Sequence, residues 1–574
     1  MSLQTHLSNL AGRAFADLGL PAELGEVLPS QRPELAQYQC NGAMAAAKQA
    51  GRAPREIAEA VATTLDGESE IRTTEVAGPG FINITLTDEA LAQWSGATAD
   101  DEYFGFKPVV DPMTVVVDYA GPNVAKAMHV GHLRATIIGD SLARLFSFAG
   151  HNVIRDPHFG DWGFQMGLLI TVFNEEGIDP ASITLEDLQR IYPEATARAA
   201  EDEVFSDKAR EATVRLQTED PLSLEIWRRM KTVSEASQRE DFAALGVKFD
   251  LWYGESDVHD RLSPLVDQLE ASGVASVSEG ALVVPVETPD DNREWPPLIL
   301  RSSAGGFLYS TTDLATVQMR VDELGADLVL YVVDHRQGDH FTQVFRAASK
   351  AGVAPDSVHL EHIGFGTMNG PDGKPFKTRE GGVVRLGDVI QLVKDAARTR
   401  LEEAHLAEEY PDDEREQIAA QVGLAALKFG DLINNRSSDY IFDVDRFSYF
   451  EGKTGPYLQY AAVRIKSILR KAADAGLVVG PIQPPSLEDE RAFILDMLQL
   501  PEIVGRSIDL RAPNHVAVYA HELASRFNSF YDSHHILSEK NEATQSSWLG
   551  LVSWMLEALT RLLDLLGIEV PDRM

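Results

Sequence analysis

The chain has 574 residues, 44% of them hydrophobic, and a formal net charge of -37. At about 150 residues per domain there is room for three to four domains with cores of their own. So acidic a chain has little non-specific attraction for nucleic acid, and any polyanion site must be local; the single cysteine, Cys40, excludes an internal disulfide and fits a reducing, cytoplasmic setting.

In chain order, "MSLQTHLSNLAGRAFADLGL" has helical spacing and lacks the unbroken apolar run of a secretion signal, so no export is expected. In "EVAGPGFINITLTDEAL", Ile82, Ile84 and Leu86 alternate with Asn83 and Thr85 after a Gly-Pro-Gly turn, which predicts a strand within a small α+β domain over residues 1–108. "PMTVVVDYA", from Pro112, is a β-branched run. A glycine-containing loop follows, then a helical pattern through Leu133, Ile137, Leu142, Leu145 and Phe148. Strand, loop and helix form half of a βαβ unit. The same succession runs from "PLILRSS" into "GGFLYSTTDLATVQMR" and from "ADLVLYVVD" into "HRQGDHFTQVFRAASKAG", and predicts an α/β, Rossmann-like, doubly wound parallel sheet over 109–450. Between about 175 and 290 charged helical segments interrupt this pattern as an insertion. Beyond "PFKTREGGVVRLGDVI" the chain is almost wholly helical: stem helices, then an all-helical domain over 451–574. In its most apolar segment, "LGLVSWMLEALTRLLDLLGIEV", Glu557, Arg561 and Asp564 lay a polar stripe on one face, so the segment packs in a bundle and no membrane span is expected.

The chemistry concentrates in "DYAGPNVAKAMHVGHLRATIIGD". Its "HVGH", His129 to His132, lies where a strand passes into a helix, a place where free backbone N–H groups and the helix dipole favour phosphate. Gly131 lets a base or phosphate approach the backbone. Two imidazoles three residues apart can point into one crevice and donate to oxygens that gain charge as a phosphate is displaced; Lys126 adds positive charge. A second basic loop, "DGKPFKTREGG", carries Lys374, Lys377 and Arg379 among glycines and can close over a triphosphate. Tyr309 and Asp313, four apart in "YSTTD", share one face of a helical turn. Asp118 and Asn123 flank the phosphate loop, and Gln337 ends another predicted strand, where open α/β sheets bind ligands. In "KTGPYLQYAAVRIKSILRKA", basic residues meet no acid between Gly452 and Ala473. Tyr457, Tyr460 and Arg464 make a stripe suited to stacking unpaired bases, and Leu458, Ile465 and Ile468 an opposite, core-facing one. Metal-ligand spacing is lacking: His521-Glu522 has no second histidine, so no metal site is expected.

"GPNVAKAMHVGHLRATIIGDSLARL" followed by "HFGDWGFQMG" resembles the signature block of the arginyl-tRNA synthetases, a class I aminoacyl-tRNA synthetase family. "AGPGFINI" resembles that family's N-terminal additional domain, and "GPYLQYAAVRIKSILRKA" with the ending "LLGIEVPDRM" its helical anticodon-binding domain. The resemblance implies a ligase that activates L-arginine with ATP and Mg²⁺ and passes it to the 3′-terminal adenosine of a tRNA, acting as a cytoplasmic monomer. It makes His129, His132, Lys126 and Lys377 catalytic, and gives ATP to His129, Gly131, His132, Lys374, Lys377 and Arg379. The basic loop stands where class I enzymes carry a Lys-Met-Ser-Lys-Ser loop, with Lys377 on or beside its second lysine; in relatives without that loop, a lysine just before the histidines, here Lys126, serves instead. Tyr309 and Asp313 match residues that hold the guanidinium, a planar cation suited to a carboxylate. Asp118 and Asn123 match contacts to the α-amino and carboxylate groups, with Gln337 and Glu255 completing the arginine site. Phe81 and Asn83 match residues at the tRNA elbow, and the Tyr457, Tyr460 and Arg464 stripe, in the segment that resembles the anticodon-binding domain, is expected to bind tRNA. Two alternatives stay open on the residues alone: another class I synthetase or adenylyltransferase, and a non-catalytic RNA-binding relative.

Overall fold

A computed structural model of the chain describes residues 1–32, 35–303, 305–370, 372–374, 376 and 384–574. They form two compact units, one of Met1–Val109, Leu406–Tyr410 and Phe450–Met574, the other of Val110–His405 and Pro411–Tyr449.

In the first unit an antiparallel sheet runs in the order Val27–Pro29, Tyr38–Cys40, Phe81–Leu86, Ile71–Ala77. Ile82, Ile84 and Leu86 are fully buried, as their period-two spacing requires. The same unit holds the helices Gly455–Asp474, Glu488–Met497, Leu500–Asp509, Asn514–Ser533 and Glu542–Leu565. Leu458, Ile465 and Ile468 face its core. Arg491 ties the two ends of the chain together, pairing with Asp88 and donating to the Leu86 carbonyl at 3.3 Å. Terminal regions that read as separate in the sequence thus pack as one body.

The second unit is built on four parallel strands, β1 (Thr114–Tyr119), β2 (Asn152–Asp156), β3 (Leu328–Val332) and β4 (His359–His362), in the order β4-β3-β1-β2. The β-branched and aliphatic runs of β1 and β3 are buried on both faces, the usual condition of parallel strands under helices. Helix α1 (Val130–Phe148) packs on β1 and β2. Helices α2 (Tyr309–Asp322) and α3 (Gly338–Lys350) share a core with Val116, Val329 and Tyr331. The chain leaves β1 toward β2 and later returns on β1's other side as β3. The crevice beyond the paired ends Tyr119 and Val332 is therefore the topological switch point, where such sheets bind ligands.

One expected strand belongs elsewhere. Leu298–Arg301, from "PLILRSS", was expected in the parallel sheet but lies in a three-stranded antiparallel sheet with Ser276–Ser278 and Ala281–Val284. The reason lies in its faces: Leu298 and Leu300 are buried and Ile299 is 40% exposed, the alternation of a strand covered on one side only. The charged helices of the interrupting region, Leu185–Glu201, Glu203–Gln217 and Pro221–Ala244, gather with Phe164–Glu176 on a separate core that also takes in Val124, Ala125 and Trp162.

Candidate active site

Between β1 and α1 the backbone turns through three left-handed residues, Ala120 at φ 77°, Gly121 at 50° and Ala125 at 67°. Two of these are not glycine, and such strain concentrates at ligand sites. The loop is fixed by a bridge from Asn123 to Gly160 and by the Ser234 hydroxyl, which accepts from the Ala125 N–H at 2.8 Å. A Cβ on Gly160 would fall 2.1 Å from Asn123 Oδ1, so glycine there leaves room for the Asn123 amide.

His129 is the N-cap of α1, and its Nδ1 accepts from the Gly131 N–H at 3.0 Å. His132 Nδ1 in turn accepts from the His129 N–H at 3.1 Å. With both Nδ1 atoms occupied as acceptors, each neutral ring must carry its proton on Nε2. Burial and the nearby Lys126 charge hold His129 down at about 4. Burial, His129 and Lys126 hold His132 at about 3. Both imidazoles are therefore neutral Nε2–H donors at pH 7. Gly131 has a role beyond the access read from the sequence: a Cβ there would meet His129 Cε1 at 2.8 Å and displace the capping ring.

The chain leaving the basic loop is strapped to this segment, with the Val130 N–H donating to the Val384 carbonyl at 3.1 Å and the Leu386 N–H to the Met128 carbonyl at 3.0 Å. Lys377 and Arg379 lie outside the described residues. Lys374 is exposed in a tight turn whose Gly370 N–H donates to the Lys374 carbonyl at 2.7 Å.

A second cluster runs along α2. Tyr309, Asp313, Thr316 and Arg320 recur at steps of four, three and four, which is one helix stripe. Asp313 Oδ2 accepts from His340 Nε2 at 2.6 Å, and the His340 ring lies 4.9 Å from that of Tyr309. Thr316 Oγ1 is 3.4 Å from His158 Nε2. Fully buried Arg320 reaches Asp118 and Asp156 at 2.7 Å each. Burial pushes the Asp118 carboxyl up, against the pull of Arg320. Burial also works to raise Asp156, but His158 and Arg320 hold it at about 2. His158 itself is raised, the Asp156 carboxylate outweighing the burial that opposes protonation. Glu255 Oε2 accepts from the Trp162 N–H at 3.2 Å. Burial, Asp161 and Asp313 together push its carboxyl up to about 7. Lys231 partly balances Asp161, at 2.8 Å. Gln337 is exposed in the turn after β3.

The fold thus brings Tyr309, Asp313, Glu255 and Asp118 into one acidic network, with Asn123, Lys126, His129 and His132 on the loop that continues from Asp118. Sequence reasoning missed several of its members, among them Arg320, Asp156, His158, Asp161 and His340. Arg320 was within reach, eleven residues after Tyr309 on the same stripe. Asp156 and His158 pair locally, two residues apart, but they join the network through Arg320 and Thr316, and His340 joins through Asp313, across long sequence separations.

In the first unit, Phe81 is half-buried on its strand and Asn83 is buried, its Oδ1 accepting from Gln39 Nε2 at 2.8 Å. The Tyr457–Arg464 stripe lies against the helix Asn514–Ser533. Asn528 Nδ2 donates to the Tyr457 hydroxyl at 2.9 Å, and Arg464 stacks 4.6 Å from the Tyr531 ring and 3.4 Å from Asp532. Tyr460 is half-buried near Phe450. Lys466 meets Asp572, so part of the local basic charge is balanced by acids from elsewhere in the chain.

The four-stranded parallel sheet and the histidine-capped helix at its switch point lie within a class I tRNA synthetase catalytic domain. The family model described as "tRNA synthetases class I (R), catalytic domain" matches residues 101–444. It is flanked by "Arginyl tRNA synthetase N terminal domain" at 2–86 and "DALR anticodon binding domain" at 458–574. The arginine--tRNA ligase of Maricaulis maris is 47% identical over 588 residues, covering 100% of both chains. Among solved structures, the Thermus thermophilus arginyl-tRNA synthetase matches with a TM-score of 0.83 at 25% identity, covering 100% of both chains. The Plasmodium falciparum enzyme matches with 0.81 at 26% identity, over 100% of this chain and 98% of that one. The chain belongs to the arginyl-tRNA synthetase family.

Proposed function

We propose that this chain is an arginine-tRNA ligase that activates L-arginine with ATP and charges the 3′-terminal adenosine of its tRNA. One arrangement carries the specificity: Glu255, its Oε2 held by the Trp162 N–H at 3.2 Å, is pushed up to about 7 by burial and by the neighbouring Asp161 and Asp313 carboxylates. Such a carboxylate gains most from an incoming permanent cation, and a guanidinium is one at any physiological pH. Tyr309 and Asp313 would hold the guanidinium with Glu255. Asp118 near the end of β1, Asn123 on the loop that follows it and Gln337 in the turn after β3 would contact the rest of the amino acid.

In the first step the arginine carboxylate oxygen attacks the α-phosphorus of ATP. The bond to the β-phosphate oxygen breaks, leaving arginyl-adenylate and pyrophosphate. The Nε2–H groups of His129 and His132 donate to phosphate oxygens as charge builds on them. Neutral donors aimed at developing charge need no proton transfer of their own. Lys126 supplies a nearby positive charge, Gly131 keeps the cap in place, and Lys374, Lys377 and Arg379 would reach the departing pyrophosphate from the basic loop. Mg²⁺ would accompany the triphosphate. In the second step a hydroxyl of the terminal ribose attacks the arginyl carbonyl and AMP leaves.

For tRNA we assign Phe81 and Asn83 in the N-terminal domain (1–108), and Tyr457, Tyr460 and Arg464 in the C-terminal one (451–574), to the elbow and anticodon regions. The enzyme is proposed to work as a cytoplasmic monomer; among the described residues no helix is long and apolar enough to cross a membrane. Purified protein with ATP, Mg²⁺ and tRNA should charge arginine, and a His132→Ala protein should lose the product. Charging of cysteine or glutamate instead would remove the assignment.

A further inference from the structure

His340 lies on α3, two residues into the helix that follows β3, and its side chain is only 18% exposed. It touches both members of the Tyr309/Asp313 pair. A carboxylate only accepts, so in its 2.6 Å contact with Asp313 Oδ2 the ring nitrogen is the donor. That leaves Oδ1, for which no partner stands among the described residues. The same ring packs 4.9 Å from Tyr309 at 46°. Its neighbour Phe341 is set in the core with Val344 and Ala347, which fixes the helix that carries it.

Glu255 is arranged in a parallel way. Its Oε2 is taken by the fixed Trp162 N–H, leaving Oε1. Each acid therefore enters the site with one oxygen already committed to a rigid donor and one to offer. A planar cation with two separate N–H ends fits one free oxygen from each of two acids, whereas a compact ammonium lacks the second end.

Resting on the assignment of this pocket to arginine, we propose that His340 is a positioning residue that sets substrate specificity. It pins Asp313 by one oxygen so that the guanidinium is read jointly with Glu255 instead of as a fork on a single carboxylate.

The test compares the full-length enzyme with His340→Phe, which keeps a ring against Tyr309 but loses the donor, and with His340→Gln, which restores one. A hydrogen bond to a charged group is strong enough that its loss should raise the arginine KM by roughly tenfold to a hundredfold. The ATP KM, kcat and melting midpoint should hold, and lysine should inhibit relatively better. His340→Gln should recover part of the arginine KM. In an Asp313→Asn background, His340→Phe should add nothing. A folded His340→Phe enzyme with an unchanged arginine KM, or with an ATP KM raised in parallel, overturns the inference. If Asp313→Asn raises the arginine KM while His340→Phe does not, only the role of His340 falls. If Asp313→Asn leaves it unchanged, the arginine assignment fails and the inference with it.

Discussion

Replacing Gly131 by alanine separates stability from activity. The new Cβ would sit 2.8 Å from Cε1 and 2.9 Å from Nδ1 of His129, closer than carbon and nitrogen can pack, so the ring has to swing off its cap. Losing an N-cap bond costs about 1 kcal/mol. Alanine in place of glycine inside a helix returns about 1 kcal/mol, so the melting midpoint should scarcely move. The chemistry should suffer. Removing one donor aimed at developing charge lowers turnover by roughly 10²–10³-fold, and the displaced ring also withdraws a neighbour lying 4.0 Å from His132. Steady-state charging with saturating arginine, ATP and tRNA measures the fall in kcat, and a thermal melt checks the fold. A folded Gly131→Ala protein with wild-type kcat would refute the idea that the cap holds a catalytic donor.

Two further outcomes follow from buried charge. Glu255 is raised from the ordinary 4.5 to about 7, so the fold favours its neutral form; its contribution to stability is complete below about 4.5 and is lost as pH rises through about 7. Arginine needs the ionised form, so the wild-type arginine KM should fall as pH rises through about 7, while that of Glu255→Gln stays flat; a flat wild-type profile would count against Glu255. Arg134 and Asp431 form an ion pair at 2.9 Å, nearly without solvent, and Arg134 also donates to the Gly366 and Ser438 carbonyls at 2.7 and 3.0 Å. Arg134→Met should cost about 3–5 kcal/mol by leaving Asp431 buried and unpaired. Adding Asp431→Leu should recover much of it, and a single variant that melts like the wild type would contradict this.

Much of the sheet was legible because its strands differ in kind. The five residues Leu328–Val332 form an unbroken apolar run and are all buried, so sequence and burial say the same thing. Residues 298–300 are just as apolar, and only the solvent-facing Ile299 marks that strand as one-sided; composition cannot reveal that. The histidine pair was legible because capping is local: His129, Gly131 and His132 interact within three residues. Tyr309 and Asp313 were legible as a helical step. Their partners were not, because Asp313 meets His340 across 27 residues and Arg320 meets Asp156 across 164, contacts that exist only once the sheet brings their elements together. Nor could the sequence show that Arg464 and Lys466 meet Asp532 and Asp572, acids distant in the chain.

The proton on each imidazole can be observed directly. Ring ¹⁵N spectra of histidine-labelled protein, with His129 and His132 assigned by substitution, should show Nδ1 bare and Nε2 protonated in both rings. Neither should titrate until the pH falls to about 4 for His129 and about 3 for His132, and ATP should shift the Nε2 resonances. Rings protonated on Nδ1, or already imidazolium at pH 7, would contradict a site built on two neutral donors.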